Sequence, residues 1–464
     1  MKQETITGKK RKFEPDLGLI IFKMMQKPPV NILAFCSLML VTSCAFGQKT
    51  RTLNDVLQTG LKNNFDIRIE RNVAQINANN NTFGNAGFYP TLEADGSAVG
   101  SVDNIHQKYS SGTEFQQNNV GGSNIQAGIE LDWTVFNGFL MFANKRNLNM
   151  QDKIGMLNFR SQVEASTNQI ISAYYNIVLQ QQQVRVYKES MKISTLKLDI
   201  AKSKFDVGAG TRLDYLQSKV DLNTDSASLI NQLALVKKAK KQLNYLIGEK
   251  DTSDYNVADT IILAPTLLLN GLQSLALQQN QTILSADARR QAYDAQIDIA
   301  KSGLYPTVVL SSRYNYGNDV VQAGPTLVNQ YNGLNYFGTV RWNLIEGGTV
   351  RTAIKNAKVN EDIADIIYQD TVESINKQIG IRYEDYASNL NLVNLLKDNM
   401  KFATENLDMA TESYRLGKVT LIDYRTAQLT YVNSVSSLVN AIYASKNSEL
   451  SLMYLTGQIS KEAQ

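Results

Sequence analysis

Between Ile125 and Val135 the chain alternates without a break. Ile125, Ala127, Ile129, Leu131, Trp133 and Val135 are apolar, and Gln126, Gly128, Glu130, Asp132 and Thr134 stand between them. A period of two predicts a β-strand with one apolar and one polar face. The same alternation runs through Tyr336, Val340, Trp342 and Leu344, and through Val308, Leu310, Tyr314 and Tyr316; the stretch after Pro90 alternates more weakly. A half-buried sheet of a soluble domain is one reading. A membrane-spanning strand is the other, for the segments reach the 9–11 residues it needs. Tyr305, Tyr316, Trp133 and Trp342 lie near their ends, where an aromatic girdle would place them, and Glu130, Asp132 and Arg341 suit a wet lumen.

A second pattern has a period of seven. Val163, Ile170, Ile177, Val184, Met191, Leu198 and Phe205 form one apolar line, and Val372, Ile379, Tyr386, Val393, Met400, Leu407 and Tyr414 form another. Such a line predicts a very long helix in coiled-coil-like packing. Three residues beyond the first line stand Ser166, Ala173, Gln180, Tyr187, Ser194 and Ala201. These are read as a wet face, which suits helices rolled into a tube; a soluble coiled coil remains the alternative.

The two lines belong to two copies of one unit. Gly-Phe-Tyr-Pro at 87–90 answers Gly-Leu-Tyr-Pro at 303–306, an offset of 216. Trp133 answers Trp342, and Leu246-Ile247-Gly248 answers Leu455-Thr456-Gly457, an offset of 209. Each half, 48–248 and 269–464, is expected to run helix, β-hairpin (90–135 or 306–345), long helix (138–207 or 347–416) and returning helix, with 249–268 as a linker. The two shorter helices together match the long one, so they could lie end to end beside it.

The long helices stop at a repeated turn, Phe205-x-x-Gly208 and Tyr414-x-x-Gly417. Glycine suits a left-handed helix end. Thr211 and Thr420 then open the returning helices, with Asp214 and Asp423 three residues on, the spacing of a capping box. Helix caps account for these residues structurally.

Composition narrows the function. The chain has 464 residues, seven prolines and two cysteines. Its formal charge of +4 resides in the N-terminal segment, and the remainder is balanced, which argues against nucleic acid as a partner. Residues 1–47 read as an export signal: Lys23 and Lys27 precede the apolar run Val30–Val41. Cleavage after Gly47 is expected; a lipobox at Val41–Cys44 would instead leave Cys44 as a lipidated N-terminus. Both cysteines fall in this segment, so the exported chain is held by packing alone. No nucleophile elbow, phosphate loop, cofactor motif or metal-ligand set is present, and an enzyme is not expected. The lone His106 is placed in an exposed loop, and Lys237, Lys238, Lys240 and Lys241 on a solvated helix face.

Four two-faced strands cannot close a barrel, and an open edge does not survive in lipid. Copies of the chain must complete it; two give eight strands, and three give twelve, enough for a channel.

With the duplicated halves, the Tyr-Pro before each hairpin, the strand ends at Phe136-Asn137-Gly138 and Ile345-Glu346-Gly347, and the Gly-x-x-Thr-x-x-Asp turns, the chain resembles the TolC-like outer-membrane efflux family over essentially its whole exported length. The resemblance implies a mainly α chain with a small β part. Three chains would form a twelve-strand barrel in the outer membrane, continuous with a long helical barrel in the periplasm. It implies a homotrimer that contacts outer-membrane lipid, a periplasmic adaptor and, through it, an inner-membrane transporter, with small molecules passing unchanged. Gly208, Thr211, Asp214, Gly417, Thr420, Asp423 and Thr426 would then ring the gate and meet the adaptor. Asp423 matches one carboxylate of the family's acidic ring. The second ring position is Thr426 and a latching arginine is replaced by Val419, so the latch must differ. A protein-secretion conduit of the same fold and a non-channel periplasmic coiled coil stay open as alternatives.

Overall fold

The computed structural model describes residues 50–250, 255–258, 260–263, 267–324 and 326–460. The expected export signal with Cys44, and part of the expected linker, lie outside the described residues. By contacts the chain divides into two units, 1–50 with 254–256 and 51–253 with 257–464. Of the first only Thr50, Tyr255 and Asn256 are described; the second holds every described helix and the four-stranded sheet.

This second unit is mainly helical with one antiparallel sheet, and it is built twice. The first pass is α1 (Leu53–Asn63), α2 (Phe65–Asn80), α3 (Phe83–Ala86), β1 (Thr91–Lys108), β2 (Glu114–Asn137), α4 (Leu140–Asp206) and α5 (Arg212–Leu246). The second is α6 (Leu269–Gln279), α7 (Gln281–Lys301), β3 (Thr307–Val321), β4 (Val328–Arg341), α8 (Thr349–Arg415) and α9 (Leu421–Leu455). Each long helix has 67 residues, about 100 Å at 1.5 Å per residue.

The stretch before each hairpin, expected as one helix, is broken at Asn64 and Asn280. The break has a job. Asn64 caps α2 by accepting from the Ile67 amide, and its Nδ2 donates to Leu246 O at the end of α5 (2.7 Å). Asn280 caps α7 and donates to Leu455 O at the end of α9 (2.9 Å). One buried side chain thus serves an orphan amide and an orphan carbonyl, the groups every helix end leaves over. Gly248 and Gly457 complete the joint in left-handed geometry. A Cβ there would come within 2.7 Å of Asn63 O or 2.6 Å of Gln279 O. The shorter helices therefore do meet end to end beside a long one.

α1, α2 and α5 pack on one side of α4; α7 and α9 pack on its other side and also on α8. The helices thus form a layer in the order α2/α5, α4, α7/α9, α8. The heptad lines run through its core: Ile170, Ile177, Val184, Ile379, Tyr386, Val393, Leu407 and Tyr414 are buried. Phe205, expected at the end of the first line, is instead 39% exposed. The supposed wet face is also corrected, since Ser166 and Ser194 are fully buried and Ala201 nearly so. α4 has neighbours on both sides, and small residues let the second one approach.

The sheet runs β1-β2-β3-β4. Asp132 pairs with Thr91 on one side and Ser311 on the other, and Arg341 pairs with Thr307. The strands have 18, 24, 15 and 14 residues, longer than the membrane minimum that the alternation suggested. His106 consequently lies within β1 rather than in a loop, exposed and 3.9 Å from Glu114. The outer edges of β1 and β4 have no strand partner among the described residues.

Candidate functional site

The hairpin tips are assembled from local chemistry. At the first, Gly208 has φ +77°, and the Ala209 amide donates back to Lys204 O at 2.8 Å. At the second, Gly417 has φ +75°, and Lys418 N donates to Ser413 O at 2.8 Å. These bonds close the helix ends with the glycine supplying the left-handed residue. Thr211 Oγ1 accepts from the Asp214 amide at 3.0 Å and donates to Asp214 Oδ2 at 2.7 Å. The Thr420–Asp423 box is reciprocal: Asp423 N donates to Thr420 Oγ1 (3.2 Å) and Thr420 N to Asp423 Oδ2 (3.0 Å). At Thr211 only the first half of the box forms. Hydrogen bonds from the Thr420 side chain and then its backbone hold the Asp423 carboxyl below the usual range, so Asp423 is an exposed anion. Thr426, one turn on, is exposed and donates to Ile422 O (2.9 Å).

The aromatic residue that opens each turn stacks on the tyrosine that follows its aspartate. The Phe205 and Tyr215 centroids are 6.0 Å apart at 5°, and those of Tyr414 and Tyr424 are 5.2 Å apart at 6°. The repeated motif therefore carries a ring pair as well as two caps. The second pair is buried with Leu407 and Leu421 under Ile193 and Ile200 of α4, and Val419 packs on this cluster. Lys204 adds a tie between the hairpins: its Nζ donates to Tyr414 O and lies 4.3 Å from the Tyr414 ring centroid. Burial, ahead of the nearby Asp214, pushes the Tyr414 hydroxyl up to about 12.

Above the tips lies a polar network that sequence reasoning missed. Lys197 of α4, whose side chain is fully buried, donates to Asp221 of α5. Arg425 of α9 clasps Asp225 of α5 with Nη1 and Nη2 at 2.9 and 3.0 Å. Ser194 Oγ and Gln428 Nε2 also donate to Asp225. Burial alone would raise the Asp225 carboxyl, but the bonds from Arg425 and Ser194 and the Arg425 charge outweigh it and hold the group below its usual range. Burial holds Lys197 below its own range despite Asp221. One signal was available: the counterparts in the other repeat are Asn406, Thr430, Ser434 and Leu216, all uncharged.

The aromatic residues expected at the membrane separate by height. Trp133 Nε1 donates to Phe88 O (3.1 Å) and Trp342 Nε1 to Leu304 O (3.2 Å), the same bond in each half, tying strand to helix at the base of the sheet. Tyr305 joins them there, in edge-to-face contact with Phe139. Tyr316 lies six residues farther along β3 than Leu310, the partner of Trp133.

The sequence pattern of the outer membrane efflux protein family matches residues 56–249 and 272–458. Among characterised relatives, the outer membrane protein TolC of Salmonella enteritidis is 22% identical over 356 residues, 74% of this chain and 71% of that protein. The toluene efflux pump outer membrane protein TtgC of Pseudomonas putida is 21% identical over 419 residues, 87% of this chain and 82% of that protein. The solved structure of CusC superimposes with a TM-score of 0.74 at 16% identity, covering 88% of this chain and 93% of that one.

Proposed function

The chain belongs to the outer membrane efflux protein family, and from that premise we propose that three copies form the exit duct of an efflux system. The observation that carries this is the sheet. Its outer face exposes Ile129, Leu131, Leu334 and Tyr336, while its other face holds Asp95, Glu130 and Arg313 in an ion-paired cluster. One face suits lipid and the other a wet lumen. Among the described residues no helix is long and apolar enough to cross a membrane, so the strands are what would span it. In lipid each unpaired edge group costs several kcal/mol, so β1 of one copy would pair with β4 of the next. Twelve strands give a channel, where eight would be filled by side chains.

The helices support the same closure. The layer ends in α8 on one side and α2 and α5 on the other. Both margins expose apolar stripes, such as Ile366 and Phe402 on α8 and Phe65 and Ile69 on α2. Joining unlike margins makes a head-to-tail contact that closes into a ring, here a helical tube below the barrel. The tips would ring its inner mouth, with Asp423 and Thr426 at the constriction. Gly208, Thr211, Asp214, Gly417 and Thr420 would shape the surface that an adaptor, and through it an inner-membrane pump, engages. Trp133, Trp342 and Tyr305 would mark one membrane boundary and Tyr316 would lie toward the other. The apolar sheet face weighs against a non-channel coiled coil, and TtgC's role in toluene efflux favours small molecules as cargo.

Electron microscopy of detergent-extracted protein tests this. A threefold tube with conductance in planar bilayers is expected; a protein that purifies as a monomer without detergent would overturn it.

A further inference from the structure

Resting on that reading, and taking the contact between the two repeats inside one chain as the template for the seam between copies, we propose a specific register for that seam: Arg341 of one copy stands opposite Asp95 of the next. The warrant is the register. Within the first hairpin Thr91 pairs with Asp132, and within the second Thr307 pairs with Arg341. These are the same pair shifted by 216 and 209 positions, the offsets of the sequence repeat. The two hairpins are thus superimposable staves. The join between them sets Asp132 against Ser311 and Glu130 against Arg313. Carried round by the same shifts, the join between β4 and the next copy's β1 sets Arg341 against Asp95 and Thr339 against Ser97.

Charge agrees with this register. Arg341 is exposed on the open edge of β4, its side chain without an ion-pair or hydrogen-bond partner among the described residues. Glu93 and Asp95 lie exposed on the lumen face of the open edge of β1; Asp95 already holds Arg313 within its own chain, and Glu93 beside it makes no ion pair among the described residues, so this edge presents acid to Arg341. A shift of one residue would instead turn Arg341 toward the apolar face of β1.

Three features at other heights agree independently. At the base of the sheet Gly138 has φ +67°, and a Cβ on it would lie 2.3 Å from Ser302 O and 2.9 Å from Tyr305 Cβ. Its counterpart Gly347 has φ +58° and open space around it; the residue that would fill the space is the next copy's Tyr89, the counterpart of Tyr305, which is 65% exposed. In the helices, Ile154 and Leu157 of α4 are buried against Ala288 and Ala292 of α7. Their counterparts on α8, Ile363 and Ile366, are exposed and would face Asn72 and the exposed Ile76 of the next copy. At the tips, Ile193 and Ile200 cover the Tyr414–Tyr424 stack. Their counterparts Phe402 and Met409 are 64% and 72% exposed, and would cover the neighbour's Phe205–Tyr215 stack.

Paired cysteines test the register. Thr339→Cys with Ser97→Cys should form disulfide-linked oligomers up to trimers that collapse on reduction. Either cysteine alone should not, nor should Thr339→Cys with Ser101→Cys, four residues out of register. Gly347→Asn, which tolerates left-handed geometry, should weaken assembly while leaving the secondary structure of the chain intact. Trimers captured by an amine cross-linker whose disulfide forms only with Ser101→Cys would overturn the register and leave the ring standing. Monomers under every reagent would overturn the ring itself.

Discussion

Replacing Asp225 by alanine would leave the Arg425 guanidinium, only 17% exposed, without its two-pronged partner. At about 4 Å and an effective dielectric near 20, the lost attraction is about 4 kcal/mol. Asp221 offers partial relief, with its Oδ2 3.9 Å from Arg425 Nε, but that oxygen already holds Lys197. One carboxylate would then serve two buried cations, so a net loss of about 3 kcal/mol is expected, the low end for breaking a buried pair. The loss falls on the α4–α5–α9 junction. Amide exchange there should accelerate about a hundredfold, from about 1.4 kcal/mol per tenfold, while the α6–α8 region is unchanged. Asp225→Ala with Arg425→Leu should recover most of the loss, because the orphaned charge is gone. The pH dependence has a definite sign. The Asp225 pKa is depressed in the fold, so its contribution is present above the unfolded carboxyl value near 4 and fades as pH falls through the folded value. If the double variant loses as much as the single one, packing rather than charge holds the junction and the reasoning fails.

Glu164 titrates oppositely. Burial, opposed by the Gln281 hydrogen bond and by Arg160, raises it to about 7. Its folded form binds the proton more tightly, so stability falls as pH rises from the unfolded value to about 7. Glu164→Gln should therefore gain about 1–2 kcal/mol at pH 8, discounted for partial exposure, and nothing at pH 4; thermal melts across that range check it. Asn64→Ala and Asn280→Ala should each cost about 1–2 kcal/mol, through a lost cap and an orphaned carbonyl, with circular dichroism melts as the measure. Asp423→Ala should widen the closed pore or weaken cation block in planar bilayers; unchanged conductance and block would remove Asp423 from the constriction.

What the sequence revealed was whatever repeats at a short period or is copied at long range. Phe205 apart, the seven-residue lines face the core, because a helix cannot hold one face against a neighbour for 67 residues without a regular stripe. The alternating segments are strands, and the aromatic-Gly-Thr-Asp turns close helices. The breaks at Asn64 and Asn280 escaped notice because asparagine in a helical pattern reads as a tolerable polar residue. Its use as a joint needs the carbonyl of Leu246 or Leu455, some 180 residues away. The small residues Ser166 and Ser194 were misread for a related reason. Polarity suggested water, whereas their size admits a second helix, and only the three-dimensional neighbours distinguish the two.

The buried charges were hidden more deeply, and the repeat shows why they sit where they do. Lys197, Asp221, Asp225 and Arg425 join the two hairpins within one chain, where pairing accompanies folding and no charge is left waiting. The equivalent positions Asn406, Thr430, Ser434 and Leu216 include those on the margins proposed to meet another copy. A buried ion pair split between copies would leave each separate chain with an unpaired charge to strip of water on assembly, a cost of several kcal/mol per ion. Neutral and apolar residues at the margin avoid that cost and still supply area. Arg341 and Asp95 escape the same objection because both lie on the wet face of the sheet, where a pair stays hydrated and adds direction rather than much energy. Duplication supplied one architecture twice, and the charge pattern distinguishes the seam that forms within a chain from the seam that forms between chains.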